Sequence, residues 1–346
     1  MFKNFFMGIA AMAALTLVSC SSDDLNSLSD TPSKNEAISF DSYLGRSAVS
    51  VNGSRGSVLE IDDLKSSTEG FGVFGNYSST DGEAFGSNLF DNQKVTYSST
   101  NEKWEYTPVK YWSPQGHIDF LAYAPRVDGT TLNGSSIEFT VADNAADQKD
   151  LLWANAANQT MANNSGTKKY VKFQFAHALS RLGYTVKTSL TDASTTITLK
   201  KITLAGSADE TKTAFYTKGT IDLSKTSSTG LWKTSDTDTK QNFDWLSTDK
   251  TLDSDTKNSD TEYLFVIPQD FSKTTENADA LFVIVEYTIK YGDEKPVTYT
   301  VSSQLKQNFE QGKAYSIVLT FGLTPIEFDA DVTTWKNTEE KDVYWN

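Results

Sequence analysis

The strongest constraint on the fold is a two-residue alternation of apolar and polar side chains that recurs along the chain. In the run 281–289, every odd-numbered residue is Leu, Val, Tyr or Ile and would share one face of a strand. A turn-like segment at 291–294 and a second alternating run at 297–301 follow. This pattern predicts a long antiparallel hairpin.

Similar runs, rich in Thr, Val, Tyr and Phe, lie between polar loops through most of the chain, which is typical of β-sandwiches. Weak helical patterns predict only short helical segments at 147–155 and 176–182. Further strands are predicted at 37–43, 70–76, 104–109, 117–123, 136–141, 171–175, 183–188, 196–204, 219–223, 263–268, 315–321 and 326–332.

The N-terminus has the pattern of an export signal. Lys3 precedes an apolar run at 5–18, which suits a signal-peptide core better than a membrane-spanning helix. Leu17-Val18-Ser19-Cys20 resembles a bacterial lipobox, so 1–19 is predicted to be a lipoprotein signal peptide. Acyl chains on Cys20 would then anchor the protein to the outer membrane.

The polar segment 20–35 is predicted to be a tether. Its Ser/Asp-rich start, Ser21-Ser22-Asp23-Asp24, resembles the export signal of surface lipoproteins in Bacteroidetes-type bacteria. A plain solvated tether is the alternative. The length of 346 residues allows two further domains, predicted at 36–185 and 186–346.

Composition excludes several functional classes. A net charge of −14 argues against a nucleic-acid partner, which needs a clustered basic surface. One Cys excludes an intramolecular disulfide framework, and two His exclude a His-rich metal site. No metal ion or cofactor is therefore predicted.

Catalytic motifs are missing as well. The sequence has no Gly-x-Ser-x-Gly, no His-Glu-x-x-His and no phosphate-binding loop. His117 and His177 are interpreted as structural, and an extracellular hydrolase is the least favoured function.

Seven Trp residues leave a binding function open. Exposed Trp can stack on sugars, whereas buried Trp contributes large apolar area to a core, and core packing is favoured here. A monomeric surface lipoprotein that binds glycans or host matrix through exposed aromatics is the alternative function.

Six segments, in order, resemble the fimbrillin-like family of type V pilus subunits. Pro114 stands one residue later than the family's Trp-Pro pattern has it, because Ser113 follows Trp112. The six segments are 110–114 (Lys-Tyr-Trp-Ser-Pro), 117–125 (ending Ala-Tyr-Ala-Pro), 150–154 (Asp-Leu-Leu-Trp-Ala), 171–182 with His177, 312–319 (beginning Gly-Lys-Ala-Tyr) and 332–335 (Val-Thr-Thr-Trp).

The resemblance implies an all-β fold of two tandem transthyretin-like Greek-key sandwiches and a pilus subunit without enzyme activity. It also implies that an Arg-specific protease removes an N-terminal strand, here within 36–51. A strand from another subunit would fill the groove that this leaves, by pairing of backbone groups. Stalk, tip and anchor roles all fit this expectation.

Two arginines lie in Gly/Ser-rich surroundings after the predicted first strand, and either could be the cleavage site. Arg55 has small residues on both sides, whereas Arg46 lies nearer the family's usual position, and a chain cut at neither is the alternative. The donor strand is predicted in the alternating C-terminal segment. Its candidate residues are Phe328, Ala330, Val332, Trp335, Val343 and Trp345.

Overall fold

The computed structural model describes most of the chain after residue 35. The side chains of 258–259 and 327–334 are not part of that description. The described ranges are 36–44, 59–80, 85–166, 170–188, 194–235, 239–246, 249–252, 258–259, 263–273, 279–321 and 327–334. The predicted signal peptide 1–19, tether 20–35 and Cys20 lie outside them.

The first part of the chain builds a seven-stranded sheet, in the order β1-β8-β7-β5-β2-β3-β4. Its elements, with the separate strand β6 and the helix α1, are β1 Phe40–Leu44, α1 Ile61–Ser66, β2 Phe71–Ser78, β3 Phe90–Ser98, β4 Lys103–Glu105, β5 His117–Ala124, β6 Ser136–Thr140, β7 Leu152–Gln159 and β8 Val171–His177. Short 3-10 turns lie at Ala145–Asp147 and Ala162–Asn164.

The rest of the described chain is also strand. These strands are β9 Ser180–Thr188, β10 Thr195–Ala205, β11 Phe215–Tyr216, β12 Lys218–Asp222, β13 Trp232–Lys233, β14 Lys240–Gln241, β15 Phe243–Asp244, β16 Lys250–Leu252, β17 Asn258–Ser259, β18 Leu264–Val266, β19 Gln269–Asp270, β20 Phe282–Tyr291, β21 Val297–Gln304, β22 Asn308–Phe309, β23 Lys313–Phe321 and β24 Glu327–Thr334. The all-β fold class is thereby confirmed.

Two larger sheets organise this second part. One has the order β15-β10-β20-β21, and the other has the order β17-β9-β23-β24. β20 and β21 form the predicted hairpin, with Ile289 opposite Val297 across the turn. β23 pairs with β9 in parallel and with β24 in antiparallel orientation.

Two hydrophobic cores share the seven-stranded sheet as a common wall. We call the core that contains Val73 of β2 and Phe120 of β5 the first core. The second core, on the other face of the sheet, contains their neighbours Phe74 and Leu121. Both faces of these strands are buried, which explains their near-continuous apolar sequence.

The chain passes between the two cores more than once. β6, early in the sequence, pairs with β12 of the second part, with Ile137 opposite Ile221. The boundary predicted between 185 and 186 falls inside β9. The division of the chain into two independently folding domains therefore stays a prediction.

Both predicted helical segments are wrong. Most of 147–155 lies in β7 or in the extended chain before it, and only its first residue belongs to the 3-10 turn Ala145–Asp147. The segment 176–182 is divided between the end of β8 and the start of β9. Short apolar runs do not separate helix from strand by periodicity, so long-range pairing decided these cases. None of the helices among the described residues is long and apolar enough to cross a membrane.

Candidate functional site

The first strand closes the seven-stranded sheet. β1 runs parallel to β8, from Phe40 opposite Val171 to Leu44 opposite Phe175. On its other side the chain just before β1 bonds to the segment 110–112, which follows β4 at the far end of the sheet. There Ile38 N donates to Lys110 O at 2.9 Å, and Trp112 N donates to Glu36 O at 2.9 Å. We call the space between β8 and 110–112 the seam.

Side chains of the first strand fill the seam from the inside. Ile38 and Phe40 are each 1% exposed and Ser42 is 6% exposed. Tyr43, which points to the other face, is 45% exposed and donates its hydroxyl to Gln174 Oε1 at 3.3 Å. The strand thus inserts two large side chains and one small side chain into the first core.

Phe40 lies at the centre of an aromatic cluster. Its ring centroid is 5.6 Å from Phe90, 5.4 Å from Tyr106, 5.5 Å from Phe120 and 5.5 Å from Phe173. Most of these contacts are edge-to-face or tilted, the arrangements that aromatic quadrupoles favour. We call this cluster the Phe40 pocket.

The pocket needs a residue without a side chain in β2. A Cβ at Gly75 would lie 2.6 Å from the Phe90 ring and 3.1 Å from the Phe120 ring. Glycine at this position therefore lets both rings approach the sheet closely enough to surround Phe40.

Tyr106 ties the backbone of the first strand to the pocket. Its hydroxyl donates to Ile38 O at 2.7 Å and accepts from Lys110 N at 3.3 Å. Burial raises the pKa of Tyr106 to about 12, against the opposing effect of the Lys110 backbone bond. The neutral, donating form of the phenol is therefore present at physiological pH. Tyr106 is not among the residues predicted from the sequence.

The candidate cleavage sites follow the first strand directly in sequence. Arg46 and Arg55 both lie in 45–58, outside the described residues, between Leu44 at the end of β1 and Leu59. Leu59 N donates to Asp150 Oδ2 at 3.2 Å. The chain on the downstream side of both arginines is thus attached to the body of the protein by contacts of its own.

Asp150 is the centre of a buried polar group at the junction of the two cores. It is fully buried, and its Oδ2 lies 2.6 Å from His177 Nδ1. Arg181 lies nearby, 4.3 Å above the Tyr263 ring, and burial lowers the pKa of its guanidinium. The burial of His177 and its contact with Asp150 fit the structural role that the sequence favours, and that role stays a prediction.

His117 lies beside a carboxylate of its own strand, β5. His117 Nε2 lies 3.6 Å from Asp119 Oδ2, and Asp119 Oδ1 accepts the backbone N–H of Asn158 at 2.6 Å. Within the described ranges, no three His, Cys, Asp or Glu residues lie together as metal ligands would.

The described tryptophans are packed in the protein and do not form an exposed face. Trp104, Trp112, Trp153 and Trp245 are buried, and Trp232 is partly buried, with its indole N–H donating to Ala178 O at 2.7 Å. Core packing therefore accounts for them, and none offers an open surface for stacking on a sugar.

The candidate donor segment is partly described. β24 lies at the edge of its sheet and pairs with β23, with Phe328 opposite Leu319 and Val332 opposite Tyr315. A strand therefore exists where the sequence predicted one. The other candidates, Trp335, Val343 and Trp345, lie outside the described residues.

Replacing Phe40 by Ala is expected to lower the free energy of unfolding of the unprocessed chain by about 3–5 kcal/mol, because it leaves a cavity inside an aromatic pocket. Tyr43→Ala in the same strand is the matched control and should cost about 0.5 kcal/mol or less, since the side chain is half exposed. Urea unfolding followed by Trp fluorescence measures both. Equal effects of the two substitutions would mean that β1 is not anchored through Phe40.

Comparisons with known proteins agree with this architecture. A family model described as fimbrillin-like matches residues 60–335. Fimbrium subunit Fim1C of Phocaeicola vulgatus is 26% identical over 393 aligned positions, which cover 97% of this chain and 97% of that protein. The crystal structure of a fimbrial protein from Bacteroides vulgatus has a TM-score of 0.68 at 22% identity and covers 87% of this chain and 100% of its own. At that identity the likeness concerns the fold alone.

Proposed function

Because this chain belongs to the fimbrillin-like family, we propose that it is a structural pilus subunit whose assembly requires removal of its first strand and insertion of a strand from another subunit. The family implies a fimbrial or adhesin-like role at the cell surface, in association with other pilus subunits. The remaining steps are our inference from the seam and from the sequence around it. They involve no enzymatic activity of the chain itself.

The observation that carries this proposal is the position of β1. It is the strand that joins the two ends of the sheet, and it is covalently connected to the body only through 45–58. Cleavage after Arg46 or Arg55 would separate it from the residues that begin at Leu59. Its departure would leave an apolar channel and unpaired backbone groups, which together bind an extended strand.

Export and anchoring complete the proposal. The lipobox at 17–20 would place a diacylated Cys20 in the outer membrane, with the precursor on the cell surface. An Arg-specific protease would then release the mature subunit from both the lipid and the first strand. The Ser/Asp-rich tether supports surface exposure.

N-terminal sequencing of sheared surface fibres tests this proposal. The mature subunit is expected to begin at Ser47 or Gly56, because the bonds after Arg46 and Arg55 lie between β1 and the anchored residue Leu59. Recovery of only the form that begins at lipid-modified Cys20 would contradict maturation and would favour an anchor or a plain surface lipoprotein.

A further inference from the structure

The first strand and the candidate donor strand share a residue pattern. Residues 38–44 read Ile-Ser-Phe-Asp-Ser-Tyr-Leu, and residues 326–332 read Ile-Glu-Phe-Asp-Ala-Asp-Val. Ile, Phe and Asp recur at matching positions, a small residue follows two positions after Phe, and an aliphatic residue closes each segment. The shared Ile, Phe, small and aliphatic residues fall on the positions that alternate into the core in β1, and the shared Asp falls on the outward face.

We propose that 326–332 of one subunit replaces 38–44 of the next, residue for residue and in the same direction. Phe328 would then occupy the Phe40 pocket. The other three inward sites are those of Ile38, Ser42 and Leu44, and they would take Ile326, Ala330 and Val332. This assignment rests on the proposed strand exchange and adds its register, its orientation and the segment that supplies it.

The sizes of the sites select this register. The Phe40 pocket is lined by four aromatic rings, whereas Ser42, two positions along, is buried although its side chain is small. A shift of two residues would place Phe328 on the Ile38 site or on the Ser42 site, and the Phe40 pocket would receive a smaller side chain. A shift of one residue would turn the acidic side chains inward. Only the unshifted register places the large side chain of Phe328 in the Phe40 pocket and the small side chain of Ala330 in the Ser42 site.

The same sizes select the direction. β1 is parallel to β8, so a replacement in the same direction is also parallel to β8. In the opposite direction, with the segment covering the same four sites, Ala330 would fall on the Phe40 site and Phe328 on the Ser42 site. That would leave a cavity and an overpacked site in one strand, and both are destabilising.

The outward positions tolerate the exchange. Asp41 lies opposite Lys172 and Tyr43 opposite Gln174, on the more exposed face of β1 and β8. Asp329 would take the place of Asp41 beside Lys172, and Asp331 the place of Tyr43. Acidic side chains there remain in water, and one of them lies next to a lysine.

In the isolated chain the donor segment is already paired. Residues 327–334 form β24, hydrogen-bonded to β23 at the edge of the sheet. Donation therefore exchanges one ladder for another and does not require an unpaired tail. One ladder is lost and one is formed, so the driving force for assembly is the apolar channel that β1 leaves, because filling it removes the aromatic walls of the seam from water.

Cysteine pairs in the full-length chain, produced in cells that form fibres, test the register. Lys172→Cys with Asp329→Cys, and Gln174→Cys with Asp331→Cys, are expected to give disulfide-linked subunit ladders, since each pair would be laterally adjacent. The pair Lys172→Cys with Asp331→Cys is out of register by two residues and should give at least about tenfold less disulfide-linked ladder. Lys172→Cys with Asp41→Cys is the positive control, because these two residues lie opposite each other in β8 and β1 and should crosslink within the unprocessed chain.

The outcomes separate this register from strand exchange in general. Ladders that crosslink only through a shifted pair, or only through a Cys at Val343 or Trp345, would retain polymerisation and overturn the register. A crosslink of monomer size would show that the segment fills the seam of its own chain, which also overturns it. Fibres absent from the parent chain that carries none of these substitutions would contradict the proposed function itself.

Exchanging the residues at positions 328 and 330 provides a second test and leaves the amino-acid composition unchanged. The double variant F328A/A330F keeps the hydropathy and length of the segment but reverses large and small. SDS-resistant ladders are expected to fall on the order of 100-fold relative to F328L, with circular dichroism and thermal unfolding confirming that the monomer is folded. Ladders equal to those of F328L would overturn the assignment of Phe328 to the Phe40 pocket.

Discussion

Replacing both Arg46 and Arg55 by Lys is expected to abolish fibres and to accumulate an unprocessed lipid-anchored chain. Lys retains the positive charge and the length of the side chain but does not serve an Arg-specific protease. Immunoblots of cell-surface fractions would show a single band of precursor size and no SDS-resistant ladder. The two single variants identify the site, since only one of them should block processing.

The effect is expected to be large because 45–58 connects β1 covalently to the body of the protein. While 45–58 is intact, an incoming strand competes with a strand held beside its own site at an effective concentration in the millimolar range. Ile38 and Phe40 together contribute roughly 3–6 kcal/mol from burial, in addition to the parallel ladder with β8. Cleavage within 45–58 removes this covalent connection and allows a strand of similar pattern to replace β1. Normal ladders from the double Lys variant would mean that neither arginine is the site of maturation.

Deleting 328–346 is expected to leave a folded, processed monomer that forms no ladders. The seam would open normally, but the chain would lack the segment that fills the seam of its neighbour. Size-exclusion chromatography and SDS gels of unheated samples measure the loss. A shorter deletion of 336–346 retains β24 and is the matched control, and it should retain polymerisation if 326–332 is the donor.

The fold of the truncated chain can be checked independently. β24 is an edge strand, and β23 remains paired with β9 from Ala314 to Phe321 after its removal. Far-ultraviolet circular dichroism should therefore remain close to that of the full-length chain. Ladders of normal length from the larger deletion would place the donor strand elsewhere in the chain.

The predictability of individual strands followed the strength of their side-chain pattern. β20 and β21 alternate strictly and form the predicted hairpin. β3, with Asp91, Asn92, Gln93 and Lys94 near its start, has no clear alternation and was not predicted. β7 is rich in Ala and Asn, which have low strand propensity, and its position between β5 and β8 outweighed that propensity.

The residues of the candidate site also differ in whether the sequence alone predicts them. Alternation in the first and last strands, and the arginines after the first, are local features that a sequence reader can find. Tyr106 carries no local signal, and Asp150 stands in the 150–154 segment without any sign of its bonding partner, because each acts on a residue far along the chain. Tyr106 bonds to the carbonyl of Ile38, and Asp150 bonds to the amide of Leu59.

The amino-acid sequence by itself determined that this chain is all-β, and it contains the shared Ile-x-Phe-Asp pattern of its first and last strands. Only the tertiary structure decided that the first strand lies between β8 and 110–112 and that an aromatic pocket surrounds Phe40. Side-chain alternation specifies which face of a strand is buried, but it carries no information about the neighbouring strand. β1 and β8 are distant in sequence, and their pairing depends on the packing of the whole sheet.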